Sequence, residues 1–179
     1  MPSIFLHAPQ DFRNLCAIAR TLEVLGYREV YAFDPWRLIR ERYGKARSRQ
    51  MRDVSSGAFE RISWTRVDDP VAFLRASSGR VVATVADTSA QELSSFSFTA
   101  DDLLLFGGES QGLPDEIVAL AGASVTVPSR GQTQSLNLGV ALGIVVFEAD
   151  RQLHSRSMTR PSSAAICSQP SSLNCVEPS

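Results

Sequence analysis

Apolar residues recur along this chain in two rhythms, and the alternation between them is its most informative feature. Residues 3–8, "SIFLHA", form a short, nearly continuous apolar run closed by Pro9, which predicts a strand. Leu15, Ile18, Leu22 and Leu25 follow at spacings of 3, 4 and 3, one face of a helix over 14–25, with Gly26 as its stop. "EVYAFD" (29–34) predicts a second strand, and a helix is expected to begin around "WRLIRERYG" in the basic segment after it. "FERISW" reads as a strand, and "DPVAFLRAS" as a short helix with Asp69 near its cap and Pro70 at its first position. "RVVATVAD" (80–87) and "DLLLFGG" (102–108) are buried strands, "DEIVALAG" (115–122) a helix and "ASVTVP" (123–128) a last strand. From Leu138 to Phe147 almost every residue is apolar, as in a helix buried on most sides.

Strands with continuous apolar runs that alternate with helices specify an α/β fold, a mostly parallel sheet covered on both faces. The 179 residues suit one domain with a sizeable core. That domain is expected over 1–153. From 154 the texture changes to "HSRSMTRPSSAAICSQPSSLNCVEPS", with eight serines, three prolines and no aromatic residue. Such a segment cannot offset its ordering entropy, so 154–179 reads as a disordered tail.

Composition narrows the function classes. At 44% apolar and 21% charged, with a formal net charge of −1, the chain is an ordinary globular one without a global sign of polyanion binding. Local charge differs: Arg37, Arg40, Arg42, Lys45, Arg47, Arg49 and Arg52 are accompanied by one acid, Glu41. This cluster suits either a polyanion or a solvated helix face. Cys16, Cys167 and Cys175 form no CxxC pair, and His7 and His154 form no HExxH pattern, so no metal site is expected. The N-terminus lacks a signal-peptide pattern, and no apolar stretch approaches the roughly 18 residues that span a bilayer. A reducing, cytoplasmic setting is the expectation.

Ligands of open parallel sheets bind where loops leave the carboxyl ends of the strands, and three such loops are unusual here. "PQDFRN" follows the first strand and puts Arg13 and Asn14 just before a helix that carries Arg20. Arg20 falls roughly opposite the apolar stripe, which makes it a solvated arginine or an interface group. "GGESQGLP" has Gly107, Gly108 and Gly112 at a strand end, which suits a nucleotide-like ligand or a tight turn. It is not a P-loop, because no Lys-Ser or Lys-Thr follows the last glycine. "PSRGQTQSLN" places Gln132, Thr133, Gln134, Ser135 and Asn137 before an apolar helix. Ser135 would serve as its N-cap, and one cap leaves the other polar groups unexplained.

In this order the three loops resemble the motifs of the SPOUT superfamily, specifically the TrmH (SpoU) family of RNA ribose 2′-O-methyltransferases. "NLCAIARTLEVLG" resembles the first motif, "LLLFGGESQGLPDEI" the second, and "VTVPSRGQTQSLNLGVALGIVVFEADRQL" the third; "VSSGAFERI" resembles a segment between them. The resemblance covers about 1–153 and implies a sheet whose C-terminal part is threaded into a trefoil knot. It implies S-adenosylmethionine in that knot, held around Thr84, Gly107, Gly108, Val127, Ser135 and Leu136, with the glycines admitting the cofactor. It also implies a homodimer with the first and last helices at its interface, which would bury Arg20.

By the same resemblance Arg20 is the central catalytic residue, with Asn14, Glu109, Ser135 and Asn137 around it. An arginine does not readily surrender its proton, so Arg20 is expected to bind the adjacent phosphate and polarise the 2′-OH. Arg13, Arg42, Lys45, Arg47, Arg49 and Arg52 become candidates for the RNA phosphates. A tRNA substrate is favoured. An rRNA 2′-O-methyltransferase, a catalytically silent RNA-binding protein of this fold, and a small-molecule enzyme on a doubly wound fold are the alternatives.

Overall fold

The structure, a computed structural model, describes residues 1–39, 44–133 and 135–158, without the side chains of 45–47 and 156–158. Its strands are β1 (Ser3–His7), β2 (Glu29–Phe33), β3 (Ser63–Arg66), β4 (Val81–Thr84), β5 (Gln91–Glu92), β6 (Leu103–Phe106) and β7 (Ala123–Thr126). Its helices are α1 (Phe12–Val24), α2 (Lys45–Ser55), α3 (Ala58–Arg61), α4 (Pro70–Arg75), α5 (Asp115–Val118) and α6 (Leu138–Met158). The strands pair in parallel throughout, in the order β3-β2-β1-β6-β4-β7-β5.

Neighbouring strand residues point to opposite faces. Ile4, Leu6, Val82, Leu104 and Phe106 pack toward α1, α2, α3 and α6, while Phe5, Val81, Leu103 and Leu105 pack toward α4 and α5. Both faces are covered, which is why the central strands carry continuous apolar runs, Ile4–Leu6, Val81–Ala83 and Leu103–Phe106. Helix α6 packs on α1 at its glycines. A Cβ at Gly139 would stand 3.7 Å from that of Ala17, and one at Gly143 would stand 3.5 Å from the Thr21 methyl, both ordinary van der Waals contacts.

The C-terminal strands are threaded. After β4 the chain runs out to β5 at the sheet's edge, then returns to β6 with Leu93, Phe96 and Phe98 in the α1–α6 side of the core. Strand β7 sits between β4 and β5, and so inside that loop. The chain enters β7 from α5 on one side of the sheet and leaves it for α6 on the other. This is the knotted arrangement expected from the family resemblance, and one the general rules of chain connection would not suggest. Gln152 of α6 fastens it: its amide donates to the Phe96 carbonyl at 2.8 Å, and its oxygen accepts from the Phe98 N–H at 3.0 Å.

Four local expectations are corrected. No helix occupies Trp36–Ile39. Buried Asp34 accepts the Ile39 N–H at 2.6 Å and Arg37 takes a φ of 52°, so 36–39 is a turn; 40–43 lie outside the described residues, and α2 spans Lys45–Ser55. In "FERISW", Ala58–Arg61 is helical and the strand starts at Ser63. The Ser55 hydroxyl accepts the Phe59 N–H at 3.3 Å, and the Phe59 ring stacks on Trp64 at 4.7 Å. Helix α1 starts at Phe12, capped by Asp11, so Arg13 and Asn14 lie within its first turn. Helix α6 continues past 153 to Met158, and the serine-rich segment from 159 lies outside the described residues.

An ion pair between buried Asp102 and exposed Arg80 closes the amino end of the sheet. Asp102 takes two bonds from Arg80, at 2.8 and 2.9 Å, and two from the Thr99 N–H and hydroxyl, both at 2.8 Å. Burial acts to raise the Asp102 pKa, but the Arg80 and Thr99 bonds together outweigh it and hold the carboxyl below the usual range. Its stabilising contribution is therefore complete above about pH 4, the unfolded value, and declines as pH falls toward the lower folded one. Asp102→Asn should lower the unfolding free energy near neutral pH by about 2 kcal/mol, less than for a fully buried pair because Arg80 is partly solvated. The difference from wild type should narrow below about pH 4 in denaturant titrations.

Candidate functional site

Three loops leave the carboxyl ends of β1, β6 and β7, and one carboxylate ties the first two together. Glu109 accepts the backbone N–H of Gln10 at 2.7 Å and of Asp11 at 3.1 Å, and the Asn14 amide at 2.8 Å. The Asn14 oxygen accepts from the Asn137 amide at 2.9 Å, and the Asn137 oxygen accepts the Gly139 and Val140 N–H groups at 2.9 and 3.4 Å. The chain of donors has one direction. A carboxylate at one end accepts only, and helix N–H groups at the other donate only, so both amides are oriented between them.

The network corrects one expectation. Asn137, not Ser135, caps α6, because only its oxygen reaches the first N–H groups of the helix. The β6 glycines also have an internal reason. A Cβ on Gly107 would run into the backbone of Gly112 and Leu113, and one on Gly108 into the Ala8 carbonyl. Gly112, at φ 67°, closes this turn with its N–H on the Gly108 carbonyl at 3.0 Å. The glycines are needed for loop to meet loop, whatever else they admit.

Beside the network lies a cavity of about 1060 Å³, of a size that takes a nucleoside-like molecule. Thr84, Gly107, Gly108, Val127, Ser135 and Leu136 all line it, and Glu109 stands at the junction of cavity and network. The Thr84 hydroxyl is buried and unpaired among the described residues, a donor and acceptor left for a ligand. Asp87, Asp115 and Arg130, which sequence patterns did not single out, also face the cavity. The Asp87 carboxyl is held below its ordinary range by bonds from Ser89 and stays charged.

Arg20 stands apart. It is exposed on α1, beside a shallow depression lined by Thr21, Val24, Leu25, Gly143 and Phe147. Six residues separate it from Asn14, about 9 Å along the helix and about 120° around it, so one subunit alone does not bring the two together. Arg13 and Arg49 are exposed, and Arg52 pairs with Glu60 at 3.0 Å. Lys45 and Arg47 fall in the first turn of α2 with their side chains outside the description, as is all of Arg42. Among the described residues no group of His, Cys, Asp and Glu could hold a metal ion, and no helix is long and apolar enough to cross a membrane.

A knotted parallel sheet with a cavity at the knot, walled by the glycine turn and the Ser-Leu-Asn segment, defines a SPOUT-type fold. The chain belongs to the SpoU rRNA Methylase family, whose model matches residues 1–147. It is 30% identical over 159 residues to the tRNA (guanosine(18)-2′-O)-methyltransferase of Escherichia coli K12, covering 86% of this chain and 63% of that one. It thus spans less than two thirds of that relative's length. A structure described as showing the 2-OH methylation of C/U34 on tRNA superimposes with a TM-score of 0.75 at 30% identity, covering 87% of this chain and 98% of that one. The AdoMet-bound rRNA methyltransferase of Sinorhizobium meliloti gives 0.70 at 28% identity, covering 85% and 56%.

Each link of the network can be measured. Asn137→Ala removes the α6 cap and should cost about 1 kcal/mol in unfolding free energy. In a double-mutant cycle with Asn14→Ala, the coupling should exceed about 0.5 kcal/mol. Additive losses would mean that the two amides act independently.

Proposed function

We propose that this chain is an S-adenosylmethionine-dependent methyltransferase acting on a ribose 2′-OH of RNA, with tRNA the favoured substrate, and that it works as a homodimer. The observation that carries the reading is the Glu109–Asn14–Asn137 network at the edge of the knot cavity, which joins all three family motifs in one place. The cavity fits the cofactor on its own chemistry. It offers the unpaired Thr84 hydroxyl, a wall of glycine backbone, and the carboxylates of Asp87, Glu109 and Asp115 for a ligand with cationic ammonium and sulfonium groups. Bound there, S-adenosylmethionine supplies an activated methyl group. The tRNA preference rests on the relatives, whose names place them at guanosine 18 and at C/U34 of tRNA.

The residues divide the remaining work. The backbone of Gly107, Val127 and Leu136 lines the cofactor's place, and Ser135 sits where that place meets the Asn137 cap. Glu109 and the two asparagines hold the loops at fixed separation, and so would orient an incoming ribose hydroxyl toward the cofactor's place. Arg20 keeps its charge and contributes electrostatically, by binding the phosphate next to the ribose and stabilising oxygen as it becomes more negative.

Dimerisation brings Arg20 to that work. Val140, Ile144 and Phe147 recur at i, i+4 and i+7 on the outer face of α6, with Val24 of α1 beside them, and all four are exposed in the single chain. A contiguous apolar stripe of this kind marks an interface. Val24 and Phe147 of this stripe share a depression with Arg20, so a second copy packed there would enclose the guanidinium and complete the site from two chains.

Tritiated-methyl transfer to bulk tRNA and to rRNA tests the reading directly; transfer to neither would sink it, and transfer to rRNA alone would replace the substrate. Arg20→Ala should lower transfer at least about 100-fold with unchanged thermal stability, since it removes charge stabilisation of the transition state. Phe147→Asp should convert the dimer to monomer in sedimentation and abolish transfer with it. Arg49→Ala should raise the RNA KM and flatten its dependence on salt, leaving cofactor affinity measured by calorimetry unaltered.

A further inference from the structure

The two tryptophans of this chain are treated in opposite ways. Trp64 is stacked on Phe59 and donates its indole N–H to the Phe59 carbonyl at 3.1 Å. Trp36 is 59% exposed and makes no ring contact or hydrogen bond among the described residues. An exposed indole leaves a large apolar face in water, and the chain holds it there by a demanding piece of backbone. Asp34 is buried, accepting the Ile39 N–H at 2.6 Å with its carboxylate and the Arg37 N–H at 3.2 Å with its carbonyl. Arg37 adopts a left-handed φ of 52°, which a non-glycine residue takes at a cost. Leu38 and Ile39 then return to the core. The turn is anchored on both sides of Trp36 and presents it outward.

Its place on the fold is informative. Phe33, the last residue of β2, is in register with His7 of β1, and its carbonyl accepts the Ala8 N–H at 2.8 Å. The turn bearing Trp36 and the loop bearing Gln10 and Asp11, the loop that Glu109 holds, therefore leave adjacent strand ends on the same edge of the sheet. After the turn the chain leads to α2, which is anchored by buried Met51 and exposes Arg49 and Arg52. A flat aromatic face at the same end of the sheet as the site, followed by a basic helix, matches the way single-stranded nucleic acid is held: bases stack on aromatic rings while cations follow the backbone.

We infer that Trp36 is a stacking platform for an unpaired nucleobase of the substrate RNA, lying beside the methyl-transfer site and gripping the strand next to the target nucleotide. The inference rests on the RNA reading above and adds a specific subsite to it. A paired base is buried in its own stack, so the platform selects RNA in which a loop or bulge offers a splayed base. Stacking contributes no phosphate contact, so its loss weakens binding without changing the number of counterions released.

The test is fluorescence-polarisation titration of end-labelled bulk tRNA with wild type, Trp36→Ala, Trp36→Leu and Trp36→Phe over a series of salt concentrations. Trp36→Ala and Trp36→Leu should each weaken binding about tenfold, within the range for one stacked base, and Trp36→Phe should recover most of it. All four proteins should share one slope of affinity against salt, one sedimentation mass and one calorimetric affinity for S-adenosylmethionine. Binding to a fully paired RNA duplex should not distinguish them. Should Trp36→Ala fail to fold, the Leu and Phe variants alone decide. Unchanged tRNA binding, equal recovery by Leu and Phe, an equal loss on the duplex, or a changed sedimentation mass would each overturn the inference while leaving the RNA reading intact. Wild type binding no tRNA at all would overturn both.

Discussion

A single carboxylate, that of Glu109, holds the loops of β1 and β6 together. It is aimed at two consecutive backbone N–H groups, Gln10 and Asp11, and at the Asn14 amide. These donors stand at the opening of α1, where backbone N–H groups lack helical partners and a negative charge is favoured. Asp11, the cap of α1, is turned to the Arg13 N–H at 2.7 Å, so the two carboxylates share the helix start between them. Through Asn14 and Asn137 the arrangement continues to the cap of α6. Two helix beginnings, far apart in sequence, are thus set relative to each other by one run of hydrogen bonds.

The threading of β7 gives that run its significance. Because β7 lies between β4 and β5, the loop from β4 passes outside it, and the 127–137 segment has to find its way to α6 past the glycine turn. Three backbone segments crowd one end of the sheet and leave a cavity among them. Crowding explains why Gly107 and Gly108 are pressed against other backbone. Residues 128–133 on the way to α6 are exposed, and there the Ser129 hydroxyl donates to the Thr133 carbonyl at 2.8 Å.

Much of this was legible in the residues, and the misses share a cause. The strands and long helices announced themselves because burial on two faces or one imposes a period, and a period is local. Asp69 and Pro70 opened α4 as their types predict. The turn at Trp36 was read as helix because "WRLIRERYG" contains good helix formers. What forbids the helix is the burial of Asp34, a tertiary fact. Ser135 and Asn137 are equally good caps by type, and the choice between them depends on Asn14, more than a hundred positions away. The glycine turn was identified by composition, but its packing reason lies in the Ala8 carbonyl of another strand's loop. Sequence patterns drew attention to the three loops; the distances between them decide what each residue touches.

Helix α1 places two demands on the same short stretch, and its sequence satisfies them by position. Its inner stripe, Leu15, Ile18, Ala19 and Leu22, is buried in the core and admits no polar group. Its first turn carries Asn14 into the network, and its outer face carries Arg20 and Val24 beside the exposed apolar residues of α6. One helix therefore belongs at once to the core, to the loop network and to the surface where a second chain would dock. On the methyl-transfer reading this has a mechanistic consequence. The hydrogen-bond network can form in the monomer, whereas the cation that stabilises the developing charge is enclosed only on assembly. Assembly would then control the electrostatics of the reaction while leaving the geometry of the loops in place.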